Sequence, residues 1–451
     1  MGKNGIGLRG TSKAVVAGIA GCFLLLVLLF DGSGCTQPER TESTAAQAGP
    51  KPLAVETGAL EGTYLKVLWT YQHGGALRGL YYGDGVVLLE TGDGYLMRLN
   101  ELNGLPYDNS LKLRSPLAFA PAVYRYTAQA QKSDEIYVVQ EGDVLWCVEA
   151  DSLLELWAEN LDYGVACTPL VSSDMVFICA EGGRINGVRK KDRSEIWSFS
   201  ARDTISSPPV LEDTGGVIRT QKKGEKTVLQ GGSESNFLYA ASEDGSVYRL
   251  NVYIGWKPPG GAGGYSWEGK TKARIVTSPV SYQERVFAAS LDFSVYAFEN
   301  VDGAVAWKYQ VGRYVRDPLF ACRNTVFVLA EDVDGGPKIM YALDTRTGAC
   351  RWKRRVKGAG GAMYHEDGLP GVAAFLAPGR DVVYLLAEEK PEIWAVRVED
   401  GTVLHRIPLT RKPDFIVSHD AQHGRLESAY GLILLGTKDG RVMCLKERRV
   451  Y

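Results

Sequence analysis

Short runs of β-branched, aromatic and aliphatic residues recur along the chain, and all but one end in a tight turn containing Gly or Asp. They are GVVLLETGDG from Gly85, EIYVVQEGD from Glu135, MVFICAEGG from Met175, FLYAASEDG from Phe237, RVFAASLDF from Arg285, TVFVLAEDV from Thr325, VVYLLAEE from Val382 and LILLGTKDG from Leu432. Such runs, followed by a turn into a second strand, are the mark of a β-hairpin.

Downstream of each hairpin turn lies a second pattern. ALDTRTGACRW from Ala342 shares an eleven-residue frame with AFENVDGAVAW from Ala297, CVEADSLLELW from Cys147 and GVRKKDRSEIW from Gly187. Each of these ends in Trp. Looser copies begin at Arg98, Arg249, Ala395 and Cys444. A frame repeating every 40–62 residues means an array of like units. A proline follows the Trp by eleven or twelve residues, as in Trp157 to Pro169, Trp197 to Pro208, Trp267 to Pro279 and Trp307 to Pro318. Proline suits the first residue of a strand, where no ladder N–H is needed.

The unit therefore has four strands: a short one after Pro, the apolar one, one opening the frame and one holding Trp. Four-stranded sheets at this spacing predict propeller blades. Trp69, in KVLWTY, has no hairpin before it, and the last hairpin has no Trp strand after it. Each supplies what the other lacks, which predicts eight blades, with an N-terminal strand joining the last blade to close the ring.

The frame A-[LV]-[DN]-x-x-T-G-x-x-x-W resembles the tryptophan-docking repeat of pyrroloquinoline-quinone-type propellers. Ala342, Leu343, Asp344, Thr347, Gly348 and Trp352 fit it fully, while His405 stands in the Trp place of one copy and insertions displace it near Asp108 and Pro259. The resemblance implies an all-β, eight-bladed propeller over residues 63–451. It also implies that Trp69, Trp157, Trp197, Trp267, Trp307 and Trp352 are structural residues packed between neighbouring blades.

Three kinds of protein share that repeat: quinone-dependent dehydrogenases, propeller extensions of sensors, and a lipoprotein propeller of outer-membrane β-barrel assembly. The dehydrogenases carry a vicinal Cys-Cys pair and a Glu/Asn/Asp calcium set. Here the eight cysteines all stand apart. Among them, Cys147 and Cys444 hold equivalent frame positions and read as small buried hydrophobes. Cys167 and Cys179 lie on successive strands of one hairpin, and an exported location permits a disulfide.

Charge narrows the partners. With 51 basic and 53 acidic residues the net charge is −2, which gives no field to attract nucleic acid. Lys3, Arg9 and Lys13 precede an uncharged run from Ala14 to Phe30, an export signal or a membrane anchor. Ser33 and Gly34 before Cys35 resemble a bacterial lipoprotein cleavage site, with Cys35 the lipidated residue. Gly32 departs from the usual Leu, and the other reading is an uncleaved anchor. The expected organisation is a signal or anchor helix over 1–34, a flexible tether over 35–62 and a propeller over 63–451.

Candidate chemistry is sparse. Glu331-Asp332-Val333-Asp334-Gly335-Gly336 falls at a hairpin tip, where turn chemistry explains it. His419, Asp420 and His423 share one loop, and His365, Glu366 and Asp367 another; neighbouring blades would bring the two together as a metal or ligand site, or leave them as polar loops. No Walker, nucleophile-elbow or zinc-finger pattern is present. Catalytic, cofactor-binding and metal residues are accordingly expected to be none. Two insertions, Glu212–Asn236 and Trp256–Tyr265, are the expected recognition loops. The sequence reading is a monomeric, non-catalytic scaffold in the bacterial cell envelope, facing the periplasm at the outer membrane and binding protein partners. The alternatives are a quinone- or metal-dependent oxidoreductase, or a sensor or carbohydrate-binding propeller.

Overall fold

A computed structural model describes residues 53–448 except 57, 64, 84, 127–132, 142, 213–219, 224–225, 230–236, 253–264, 332–337, 356–376, 379–381, 387–390 and 419–431. The described chain is all β. It forms eight four-stranded antiparallel sheets, taken here as blades one to eight. Blades one to seven span 77–112, 122–160, 170–200, 210–270, 280–310, 320–355 and 377–408 in chain order. Blade eight takes three strands from 415–447 and its fourth, outermost strand from Leu65–Gln72. In that pairing Leu65 opposes Glu447 and Gln72 opposes Arg441, with a bulge between Val67 and Trp69.

Within a blade the chain meanders outward, so the short strand after the proline is innermost and the Trp strand outermost. Pro169 and Pro279 fall one residue before their strands, Leu170–Val171 and Val280–Tyr282, rather than inside them. Alternate strands run in opposite directions, so each connection has a fixed side. Links from first to second and from third to fourth strand lie on one face, called the front. Turns from second to third strand and links between blades lie on the back.

The core is divided among the junctions. Eight buried apolar clusters each draw residues from two successive blades. One joins Phe287, Ala297 and Trp307 of blade five to Val326, Val328 and Leu343 of blade six. Another joins Trp69, Leu434 and Cys444 of blade eight to Leu80, Val87 and Leu89 of blade one. Because both faces of every blade are covered, its second strand is mostly apolar and buried along its length: Met175–Ala180 and Thr325–Ala330 are buried at every residue. That explains why the sequence shows continuous apolar runs there instead of alternation.

The described end of the segment expected to be a tether is packed. Leu53 is fully buried among Tyr384, Leu409 and Ile433, and Val55 bridges Leu409. The aliphatic residues of Leu53–Val55 gain more by covering the junction of blades seven and eight than by staying in water. Residues 1–52, including the apolar run and Cys35, lie outside the described residues. Among the described residues no helix is long and apolar enough to cross a membrane.

Candidate functional site

Each frame copy opens on the third strand and turns into the fourth, so its parts face two neighbours at once. In blade six Phe327, Ala342 and Trp352 lie side by side across three strands. The same ladder is Phe177, Gly187, Trp197 in blade three and Phe287, Ala297, Trp307 in blade five. The middle residue must be small: a Cβ on Gly187 would come within 3.1 Å of the Trp197 Cβ and 2.8 Å of the Met175 methyl. Cys147 and Cys444 hold this place against Trp157 and Trp69, and burial pushes both thiols up to about 12. They serve as small apolar residues.

The Trp then reaches the next blade. The indole N–H of Trp307 donates to the Thr345 carbonyl at 3.0 Å and that of Trp352 to Val398 at 2.8 Å. Trp267 reaches Asn300 at 2.8 Å, Trp197 reaches Asn251 at 3.0 Å, and Trp69 crosses from blade eight to Glu101 of blade one at 2.7 Å. The rings of Trp69, Trp267, Trp307 and Trp352 rest on Gly104, Gly303, Gly348 and Gly401, the glycine of the receiving frame. Gly348 has φ +71°, and a Cβ there would lie 2.6 Å from the Trp307 ring. The frame glycine thus answers two demands together, a left-handed turn and a flat seat for the ring.

Asp344 holds that turn. Its carboxylate accepts from the Arg346 and Thr347 amides and the Thr347 hydroxyl at 2.9–3.0 Å, and Arg351 binds its other oxygen at 2.6 Å. Burial opposes its ionisation, but the Arg351 guanidinium and the turn amides outweigh it and hold the carboxyl at about 2.

Trp157 differs. Its ring meets Tyr137 edge-on at 5.9 Å, but the receiving frame has Arg193 (φ 61°) where the others have glycine, and Trp157 is only half-buried. The blade two–three junction is fastened instead by Lys190. Its ammonium lies 3.8 Å from the Tyr124 ring centre and 3.0 Å from the Glu135 carboxylate, almost wholly enclosed. At the blade one–two junction, where blade one lacks Trp, Arg98 donates to the Ala150 carbonyl at 2.7 Å and to Asp151. Residue type alone gave no sign of either fastening.

The surface is uneven in one respect. Every large apolar residue exposed among the described residues lies at the front rim: Val67, Leu102, Leu105, Leu154, Leu156, Tyr265, Val301 and Val305. All sit in third-to-fourth strand turns or within the first three residues of an outermost strand or just before it. Five of them belong to blades eight, one and two. Both insertions of blade four also leave from front-face strand ends. One of them carries the hairpin of Thr220–Lys223 with Lys226–Leu229.

The two His-bearing segments lie outside the described residues. The strand ends that bound them are Arg355 and Ala377 for one, on the back, and Ser418 and Leu432 for the other, on the front. The expected meeting of the two loops therefore falls outside the described residues. Glu331 is described, with Arg316 at 3.5 Å, whereas the remainder of its acidic cluster is outside the described residues. No group of three metal-ligating side chains occurs among the described residues.

Comparison with known proteins follows this geometry. A family model described as outer membrane protein assembly factor BamB matches residues 127–252 and 212–448. No curated protein matches. The crystal structure of BamB from Moraxella catarrhalis is similar, with TM-score 0.59 and 12% identity over 86% of this chain and 99% of that one. The computationally designed protein Ika8 is similar at TM-score 0.53 and 15% identity, over 84% of this chain and 99% of that one. Identity at this level speaks for the fold, and the family match over most of the chain for kinship. The chain belongs to the family of the outer membrane protein assembly factor BamB, a propeller of pyrroloquinoline-quinone-type repeats.

Proposed function

We propose that this chain is a non-catalytic scaffold of the bacterial envelope that binds proteins through the front rim of its propeller, in the service of outer-membrane protein assembly. The observation that carries the reading is the placement on that rim of all the large apolar residues exposed among the described residues, concentrated over blades eight, one and two. Isolated apolar residues on a surface need no explanation, but a set confined to one edge of one face is what a protein-binding surface requires. The family points the same way. In this reading Leu65–Gln72 locks the ring shut, the Trp residues hold the blades, and the rim is presented on a rigid body. The chain is exported and acts as a monomer facing the periplasm, held at the membrane through Cys35 or the apolar run before it. It needs no cofactor and does not meet nucleic acid.

The test is a full-length chain in which Leu102, Leu105, Leu154 and Leu156 are each changed to Glu. The expected result is an unchanged melting temperature with lower levels of outer-membrane β-barrel proteins and loss of cross-links to envelope assembly proteins. A matching change on the back, Glu181→Lys, is expected to leave both intact. Normal barrel-protein levels and unchanged cross-links in the Leu variant would sink the proposal. Mass spectrometry of the membrane-extracted chain tests the anchor: a diacylated Cys35 is expected, and an intact Met1 end would replace lipid with a signal anchor.

A further inference from the structure

Blade three carries a sulfur in the link that enters it and another on its second strand, where blades four, five and six carry none. Three residues before the innermost strand stand Ser207, Thr277 and Asp317 in blades four, five and six, and Cys167 in blade three. The fifth residue of the second strand is Ala241, Ala289 and Leu329 in those blades, and Cys179 in blade three. In an unbroken ladder the two would point to opposite sides of the sheet. The ladder is broken here. Val165 opposes Ala180 and Leu170 opposes Phe177, so five steps along one strand face three along the other. The bulge turns Cys167 to the side of Cys179. Both enter one apolar cluster with Phe177, Ile185, Phe199 and Leu238, and the Ala166 amide donates to the Cys179 carbonyl at 2.8 Å.

We propose that Cys167 and Cys179 form a structural disulfide when the chain folds in an oxidising compartment. Both stand as buried free thiols, and hydrogen bonding of the Cys167 thiol to Cys179, and then burial, hold it well above its ordinary range. Neither is exposed, so the folded dithiol is a poor nucleophile and the bond forms before blades three and four close over it. The oxidant is a disulfide, small or protein-borne. One cysteine thiolate attacks it, giving a mixed disulfide and releasing one thiolate. The second cysteine thiolate then attacks the first cysteine's sulfur in that mixed disulfide and releases the other thiolate of the oxidant. Two electrons pass from the cysteines to the oxidant, whose two thiolates take up the two protons. The bond ties the link into blade three to that blade's second strand and, once covered, is shielded from thiol reductants.

The proposal rests on the exported reading for the cell but not for the chemistry, so the test fixes the redox poise in vitro. The full chain is unfolded with reductant, refolded in mixed oxidised and reduced glutathione, alkylated in denaturant and mapped by mass spectrometry without reduction. The expected result is a peptide pair linked through 167 and 179, with Cys147, Cys322, Cys350 and Cys444 alkylated. Alkylation of both 167 and 179, or linkage of either to another cysteine, overturns the proposal. Cys179→Ala is expected to leave Cys167 alkylated. The linked protein should melt higher than its reduced form, whereas reductant should not shift the double Ala variant. Equal melting of the linked and reduced wild-type forms would remove the structural role.

Discussion

The junction of blades five and six and the junction of blades one and two carry the same turn and are fastened by different chemistry. At the first, Gly348 has φ +71° and the Trp307 ring lies on it. At the second, Leu153 has φ 53° in the same frame position, its amide bonded to Glu149 as that of Gly348 is to Asp344. No Trp arrives from blade one. Leu153 is buried beside Leu88, Val138 and Trp146, filling the room an indole would take, and Arg98 supplies the N–H that the indole would have given to the frame carbonyl. The left-handed turn is thus a property of the frame. Glycine is demanded only where a ring lies above it. Where the ring is missing, a side chain pays the strain of positive φ in return for burial.

The contrast breaks most visibly at the Trp. Trp307→Ala should cost about 3–5 kcal/mol in denaturant unfolding, since it empties a packed junction and removes one of the two donors to the Thr345 carbonyl, the other being Arg285. A loss under about 1 kcal/mol would mean that the ring only covers the blade edge. Next come opposite swaps at one frame position. Leu153→Gly should lose about 2–4 kcal/mol despite relieving positive φ, because a buried side chain disappears. Gly348→Ala should lose about 1–3 kcal/mol through overpacking and strain. If Leu153→Gly were neutral, the filling account would fail.

Arg98→Met keeps the aliphatic stem and removes the donor to Ala150, with an expected loss of about 1–2 kcal/mol in the same assay. The smallest effect concerns the turn carboxylate. Asp344 has its carboxyl depressed from 3.8 to about 2, so its contribution is present above the ordinary value and is lost as pH falls from about 4 through about 2. Asp344→Asn should therefore lower stability slightly at neutral pH and flatten the acid limb of a melting-temperature curve in that window.

The blade count was legible because each unit repeats the same local demands: an apolar middle strand, a small residue beside Trp, and a turn ending in Gly. These depend on neighbours close in sequence or on the same contact made again and again. The departures were not legible. Arg98 opens a loose frame copy, and nothing about its type says that it stands in for an indole. Lys190 reads as one of a basic pair, KK, yet its ammonium is enclosed by Tyr124, Tyr126 and Glu135 from the preceding blade. The front rim was hidden for a related reason. Leu102 and Leu154 are 52 positions apart in the chain and share an edge only because adjacent blades turn their frames to one face.

The sequence by itself determined the all-β class, the eight units and the strand order within each, since period and turn chemistry act locally. The tertiary structure decided which carbonyl each Trp meets, which cation replaces a missing ring, which sulfur turns toward which, and which face gathers the exposed leucines. Those outcomes depend on the stacking of one sheet on the next, where side chains distant in the chain compete for the same few ångströms.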